Sequence, residues 1–180
     1  MRRMHRPILA VLALLLLVGV STLSAQRPQA RQGFWFNLGL GWGTLGCQDC
    51  DGREGGGAAA LALGGTLNQK WQLGGGAYAW AKEEDGVTLA VSLTAFVAKF
   101  YPSATGGFHL LGGLGFASVD LEIDGFGDAS ESGSGLILGL GYDFRVGRNV
   151  SLTPFWNGVA TSYDGGDLNF GQLGLGITIH

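Results

Sequence analysis

Charge, proline, cysteine and long apolar runs are all scarce in this chain of 180 residues. Only 14% of its residues are charged, and it holds 4 Pro, 2 Cys and 3 His. Each shortage excludes something. Disorder requires many charges and little apolar surface, whereas 46% of this chain is hydrophobic. Four Pro and no strict Gly-X-Y period exclude collagen. No Lys/Arg cluster follows residue 25, which argues against nucleic acid as a partner. The one long apolar run, Ile8 to Val20, is too short for a membrane-spanning helix, which needs about 20 residues.

What is abundant is glycine, 34 residues. Each costs roughly 1 kcal/mol in a helix relative to Ala, which excludes a helix bundle. The N-terminus reads as an export signal: Arg2, Arg3 and Arg6, then the apolar run, then small residues ending at Ala25. The expected organisation is a signal peptide over 1–25, a short periplasmic segment over 26–33 and one domain over 34–180. Removing the signal takes away three basic groups and no acid, so the exported chain is acidic.

Beyond the signal, apolar residues recur with period 2, the mark of strands. Phe34, Phe36, Leu38, Leu40 and Trp42 share one face, against Trp35, Asn37, Gly39, Gly41 and Gly43 on the other. The split returns with Leu136, Leu138, Leu140, Tyr142 and Phe144, and again with Leu173, Leu175, Ile177 and Ile179. Eight strands are predicted, over 34–44, 57–67, 71–82, 87–100, 107–121, 134–146, 150–162 and 168–179. A soluble sandwich would cover its second face with charge. Here that face is Gly, Ala, Ser, Thr, Asn and Gln, which suits the inside of a narrow barrel whose large apolar residues face lipid. The reading is an all-β, eight-stranded, antiparallel up-and-down transmembrane β-barrel.

The connections agree with that reading. Taking the N-terminus as periplasmic, the external connections fall near 45–56, 83–86, 122–133 and 163–167, and short turns occupy the other end, the usual asymmetry. Of the 14 Asp and Glu, only Asp143 lies away from the external side. Trp71, Tyr101, Phe108 and Phe144 near one rim, and Trp42, Phe116 and Tyr163 near the other, are placed for interfacial aromatic girdles.

The Leu-Gly-Leu-Gly strands, the stretch Gly139-Leu-Gly-Tyr-Asp-Phe-Arg-Val-Gly-Arg-Asn-Val-Ser-Leu-Thr-Pro-Phe155 and the ending Gly174-Leu-Gly-Ile-Thr-Ile-His180 resemble small bacterial outer-membrane barrels of the OmpA/OmpX-like type. The resemblance implies a Gram-negative outer membrane, contact with its lipids and lipopolysaccharide, insertion by the barrel-assembly machinery, and a monomer. It implies no particular activity.

Four constellations carry candidate chemistry. Gly41-Trp42-Gly43-Thr44-Leu45-Gly46 fits G-x-G-x-x-G, but no helical run follows and Thr66 stands where a ribose-binding acid belongs, so it reads as a strand end. Cys47 and Cys50 lie in an external loop in an oxidising compartment, so a local disulfide is the first reading; a redox or metal pair and free thiols are the others. Asp120, Glu122, Asp124, Asp128 and Glu131, with Gly125, match most positions of a 12-residue calcium loop. The competing reading is a strand above the membrane with Asp120, Glu122 and Asp124 on its wet face. Finally, His109 and His180, the histidines left after signal removal, both map to periplasmic ends and have no His-x-Ser pairing. No enzyme is expected, and His109 reads as interfacial.

Asn37, Gln72, Tyr78, Thr88, Ser92, Thr94, Asp143, Arg145, Thr153, Asn157 and Gln172 are expected to point into the lumen. Asp143, Arg145, Asn157 and Gln172 would form its buried polar network, since a lone charge there is costly. Eight strands leave room for little beyond side chains, so a filled lumen is the first reading and a thin path for small solutes the second. The function expected is structural or surface interaction with acidic external loops, with no cofactor beyond calcium.

Overall fold

The structure, a computed structural model, describes residues 31–47, 52–123 and 127–180, the side chain of Asp128 excepted. The signal segment, Cys50 and Asp124 lie outside the described residues. The strands are β1 (Phe34–Cys47), β2 (Glu54–Asn68), β3 (Trp71–Glu84), β4 (Val87–Phe100), β5 (Phe108–Ile123), β6 (Gly127–Tyr142), β7 (Phe144–Arg145), β8 (Val150–Tyr163) and β9 (Gly166–Ile179). Neighbours in sequence pair antiparallel, save β6 and β7, which both pair with β8, and β1 also pairs with β9 from Phe36↔Ile179 to Cys47↔Leu168. That pairing closes the sheet. Strand β7 resumes β6 after an interruption at Asp143, and β8 pairs with both, so eight strands cross. Closure satisfies the backbone that lipid could not hydrogen-bond.

Alternation sorts the side chains into two environments. Leu40, Leu114, Phe116, Leu138 and Leu173 face outward, with Phe116 81% exposed, while Trp35, Trp80, Leu93, Ile137 and Phe170 are buried inside. So many large apolar groups exposed together would be unsustainable in water, since soluble monomers rarely expose apolar patches beyond a few hundred Å². They need lipid. Glycine makes the tight wall possible: a Cβ on Gly64 would sit 2.0 Å from the carbonyl oxygen of Leu73, and one on Gly74 equally close to that of Leu63. At the external end Asp85 and Gly86 take φ of 51° and 78°, the two-residue type I′ conformation that matches strand twist.

Two expectations need correction. The connection expected over 122–133 is mostly strand: β5 and β6 stay paired up to Ile123↔Gly127, with Glu122 opposite Asp128 and Asp120 opposite Ser130. On the β5 side Val119, Leu121 and Ile123 keep the alternation against Asp120 and Glu122, as the competing strand reading had it, whereas the β6 side from Gly127 to Gly133 carries only polar and small residues and no apolar period. On β4 the inward face is Val91, Leu93, Ala95, Val97 and Lys99, while Thr94 is exposed. Ser92 pairs through its hydroxyl with Ser118 at 3.0 Å on the same outer side. Apolar residues occupy both faces of β4, so its period marks alternation without marking the inside.

Candidate functional site

The lumen is layered. In its external half, Leu45, Trp80, Val91, Leu93, Ile137, Val159 and Phe170 form an apolar core, with Leu89, Val119, Tyr163 and Leu168 packed against it. This plug excludes water as a globular core does. Below it the lining turns polar: Asn157 Nδ2 donates to Gln172 Oε1 at 3.3 Å, and Gln172 Nε2 donates to the carbonyls of Ala59 (3.2 Å) and Ala79 (2.7 Å). Gln172 thereby ties β9 to β2 and β3.

The periplasmic end is organised around Asp143, fully buried at the break between β6 and β7. Thr153 Oγ1 donates to its Oδ1 at 2.8 Å. Tyr101 Oη lies 3.0 Å from its Oδ2 and 3.1 Å from Gln72 Oε1. His180 Nε2 stands 3.2 Å from the same Oδ2, and His109 Nδ1 lies 3.8 Å from Oδ1. Gln72 Nε2 donates to Thr66 Oγ1 and reaches His180 Nδ1 at 3.3 Å. An amide nitrogen can only donate, so His180 Nδ1 accepts and its Nε2–H faces the carboxylate; the network assigns the tautomer. A further chain runs from Asn37 Nδ2 to Thr178 Oγ1 (2.8 Å), to Thr153 Oγ1 (2.7 Å), to Asp143. With Asn37 at its head and a carboxylate at its end, every donor in it points toward the charge, so each bond polarises the next.

Arg31 closes this end from below. Its guanidinium donates to the carbonyls of Gln69, Ala104 and Gly106 and lies 3.5 Å from the Tyr101 ring centroid. Its backbone exchanges hydrogen bonds with the Gln69 side chain. One residue thus straps the β2–β3 turn to the β4–β5 turn.

Of the expected lumen network, Asn157 and Gln172 meet each other, and Asp143 meets Thr153, expected in the lumen, together with Tyr101 and His180, which sequence reasoning placed at the rim and at the strand end. Arg145 lies on β7, its Nε buried without a hydrogen-bond partner among the described residues. Tyr101 and His109 are corrections: both are buried, their ring centroids 5.2 Å apart, instead of at the interface. Both stand at the start or end of the β4–β5 connection, where a girdle residue and a lumen residue look alike in sequence. Periodicity alone would have flagged His109, two residues before the inward Leu111 and in phase with it.

The external rim is the other candidate surface. Lys82 Nζ bridges Glu54 and Glu84 at 2.8 and 2.5 Å, which holds the Glu84 carboxyl below its ordinary range. Arg53 clamps β1 to β9 through Thr44 and Asn169. The β6–β8 ladder ends at Ser134↔Ser162; above it, the Gly165 N–H donates to Glu131 Oε1 at 3.1 Å. Inside that seam a cavity of about 320 Å³ is lined by Val119, Glu131, Tyr163, Asp167 and Leu168. Of the calcium reading, Asp124 and the Asp128 side chain lie outside the described residues; among the others, Asp120 accepts from Ser118 Oγ at 3.0 Å and Glu131 accepts from the Gly165 N–H. Among the described residues no three His, Cys, Asp or Glu side chains gather to hold a metal. Cys47 ends β1 and is disulfide-bonded.

A family model described as the outer membrane protein beta-barrel domain matches residues 11–180. No curated protein sequence matches the chain. Among solved structures, Neisserial surface protein A (NspA) superposes with a TM-score of 0.63 at 14% identity, covering 84% of this chain and 99% of that one. Ail, the attachment invasion locus protein of Yersinia pestis, superposes with a TM-score of 0.56 at 16% identity, covering 82% and 99%. At such identities the likeness is one of fold.

Proposed function

The chain belongs to the outer-membrane protein beta-barrel domain family, and on that premise we propose that it is a non-conducting outer-membrane barrel whose work is done by its acidic external rim. One observation carries this reading: the lumen is packed across its width. Trp35, Tyr78, Trp80, Tyr101 and Phe170 are each at most 2% exposed, and the void between the polar layers is about 20 Å³, room for about one water. A solute path needs a continuous string of waters. The apolar plug above the Asp143 network interrupts it.

The rim, by contrast, rises beyond the apolar band as paired strands. Glu54, Glu83, Glu84, Asp85, Asp120, Glu122, Asp164 and Asp167 line it, against Arg53 and Lys82, both of which are held by neighbours. Ail was also solved in complex with the heparin analogue sucrose octasulfate. A polyanion of that kind would be repelled here, so the partner class is basic: a cationic peptide segment, or divalent cations bridging the rim to lipopolysaccharide phosphates. The barrel acts as a monomer, inserted by the barrel-assembly machinery. Bacteria displaying the protein should retain a fluorescent oligolysine more strongly than bacteria displaying Glu83→Gln/Asp85→Asn/Glu122→Gln/Asp164→Asn, with the difference fading at high salt. Equal retention would refute the rim assignment.

A further inference from the structure

The β6–β8 ladder stops at Ser134↔Ser162, although β6 runs on outward to Gly127. Strand β8 instead turns back at Asp164 and Gly165 into β9. Beyond the last rung, the Gly165 N–H reaches across the seam to Glu131 Oε1. The gap leaves the cavity of about 320 Å³ at the outer mouth of the lumen. Three of its lining residues, Val119, Tyr163 and Leu168, pack against the apolar plug, so its floor is hydrocarbon. Glu131, Gly165 and Asp167 are exposed, so it opens to the outside.

The polar part of this lining is acidic. Glu131 and Asp167 both belong to it, and Glu131, together with Asp120, bears electrostatically on the Tyr163 phenol, whose Oη is shielded from solvent. Arg53 and Lys82, the cations of the rim, are engaged elsewhere: Arg53 on Thr44 and Asn169, Lys82 on Glu54 and Glu84. Among the described residues neither Glu131 nor Asp167 forms an ion pair, and Glu131 Oε2 accepts no hydrogen bond. A carboxylate with one oxygen held and the other open can take one more strong donor.

Taking from the rim reading that the partner is basic, we propose that this cavity receives one lysine side chain of that partner, its ammonium on Glu131 Oε2 and its methylenes along Val119 and Leu168. An anion would be repelled by both carboxylates. A neutral hydrocarbon would fill the apolar wall but strip water from Glu131 without replacing its hydrogen bonds. A divalent cation lacks ligands, since no three His, Cys, Asp or Glu side chains gather among the described residues. Arginine fits less well, because its planar fork matches both oxygens of a carboxylate and the Gly165 N–H already holds one. Lysine joins an apolar stem to a compact charge, as this lining requires.

The test titrates the refolded barrel in zwitterionic detergent, its Val and Leu methyls isotope-labelled for NMR, with n-butylammonium, the lysine side chain alone, and with n-butanol as its uncharged counterpart. Butylammonium should shift the Val119 and Leu168 methyl resonances, while those of Leu93 and Val159, buried in the plug, stay in place. Butanol should bind about tenfold more weakly, for want of one charge-assisted contact, and Glu131→Gln should weaken butylammonium to the same degree. The butanol comparison needs only the wild type, so it decides even if the variant does not refold. Oligolysine should move the same two methyls. Butylammonium that binds no better than butanol, or oligolysine that binds the barrel without moving Val119 and Leu168, would overturn the proposal and leave the acidic rim standing. Oligolysine that fails to bind at all, with butylammonium still shifting both methyls, would overturn the basic partner and uphold the cavity as an amine site.

Discussion

His180, the last residue, places its Nε2 3.2 Å from Oδ2 of Asp143, 37 positions earlier. The end of the chain is thereby fastened to the break between β6 and β7, beside the β1–β9 seam that closes the barrel. Asp143 takes its donors from the β4–β5 turn, β8 and the C-terminus, so removing it should strand several at once. Asp143→Ala is expected to destabilise the refolded barrel by about 3–5 kcal/mol, the cost of breaking a buried charged network from one side. Urea unfolding followed by tryptophan fluorescence measures it. His180→Ala, which removes a single donor, should cost less.

Thr153 and Thr178 relay the pull of that carboxylate to Asn37. Thr178→Val keeps the shape and removes the relay, at an expected cost of about 1–3 kcal/mol. Combined with Thr153→Val the losses should be clearly less than additive, because the second valine breaks a chain already broken. Strict additivity in the double-mutant cycle would mean that the hydroxyls act separately.

Leu173 lies halfway along β9 and is 69% exposed on the outer face. In a soluble protein Leu173→Arg would be nearly neutral. In a bilayer it should cost about 2–4 kcal/mol. Unfolding titrations in liposomes and in detergent micelles give the comparison, and a neutral substitution in liposomes would place that face in water.

Gly64 and Gly74 oppose each other across β2 and β3. Gly64→Ala drives a Cβ against the Leu73 carbonyl and should cost about 1–3 kcal/mol, the range for overpacking. Its refolding yield in detergent should fall accordingly, whereas Gly65→Ala, with nothing within 4 Å of the added carbon, should refold like the wild type.

Cys47 ends β1 at the external rim, and Cys50 is the only other cysteine in the sequence. If the two close the first external loop, intact mass should rise by about 2 Da on reduction, one hydrogen per sulfur. An unchanged mass would leave both as thiols.

The barrel was legible in the sequence because lipid on one side and a narrow lumen on the other impose a strong period of two. The pattern of Leu136, Leu138 and Leu140 against Ile137, Gly139 and Gly141 could scarcely be read otherwise. It failed where that contrast fades. Strand β4 carries Val91, Leu93 and Val97 inward and Phe96 outward, so its faces look alike. The β6 limb of the external hairpin, from Gly127 to Gly133, has no large apolar residue on either face and so shows no period. The Asp143 network was half legible: a lone acid far from the acidic loops marked its centre. Its partners Tyr101, Thr153 and His180 come from three separate segments, and only closure of the barrel brings them together.

Single-channel recording in planar bilayers tests most directly whether the packed lumen makes this a non-conducting barrel. With the wild-type protein inserted and its presence confirmed by heat-modifiable migration, the current should stay at the bilayer baseline across the voltage range. Discrete, reproducible openings would contradict the account, because the layer of Trp80, Leu93, Ile137 and Phe170 would then have to part to admit a column of water.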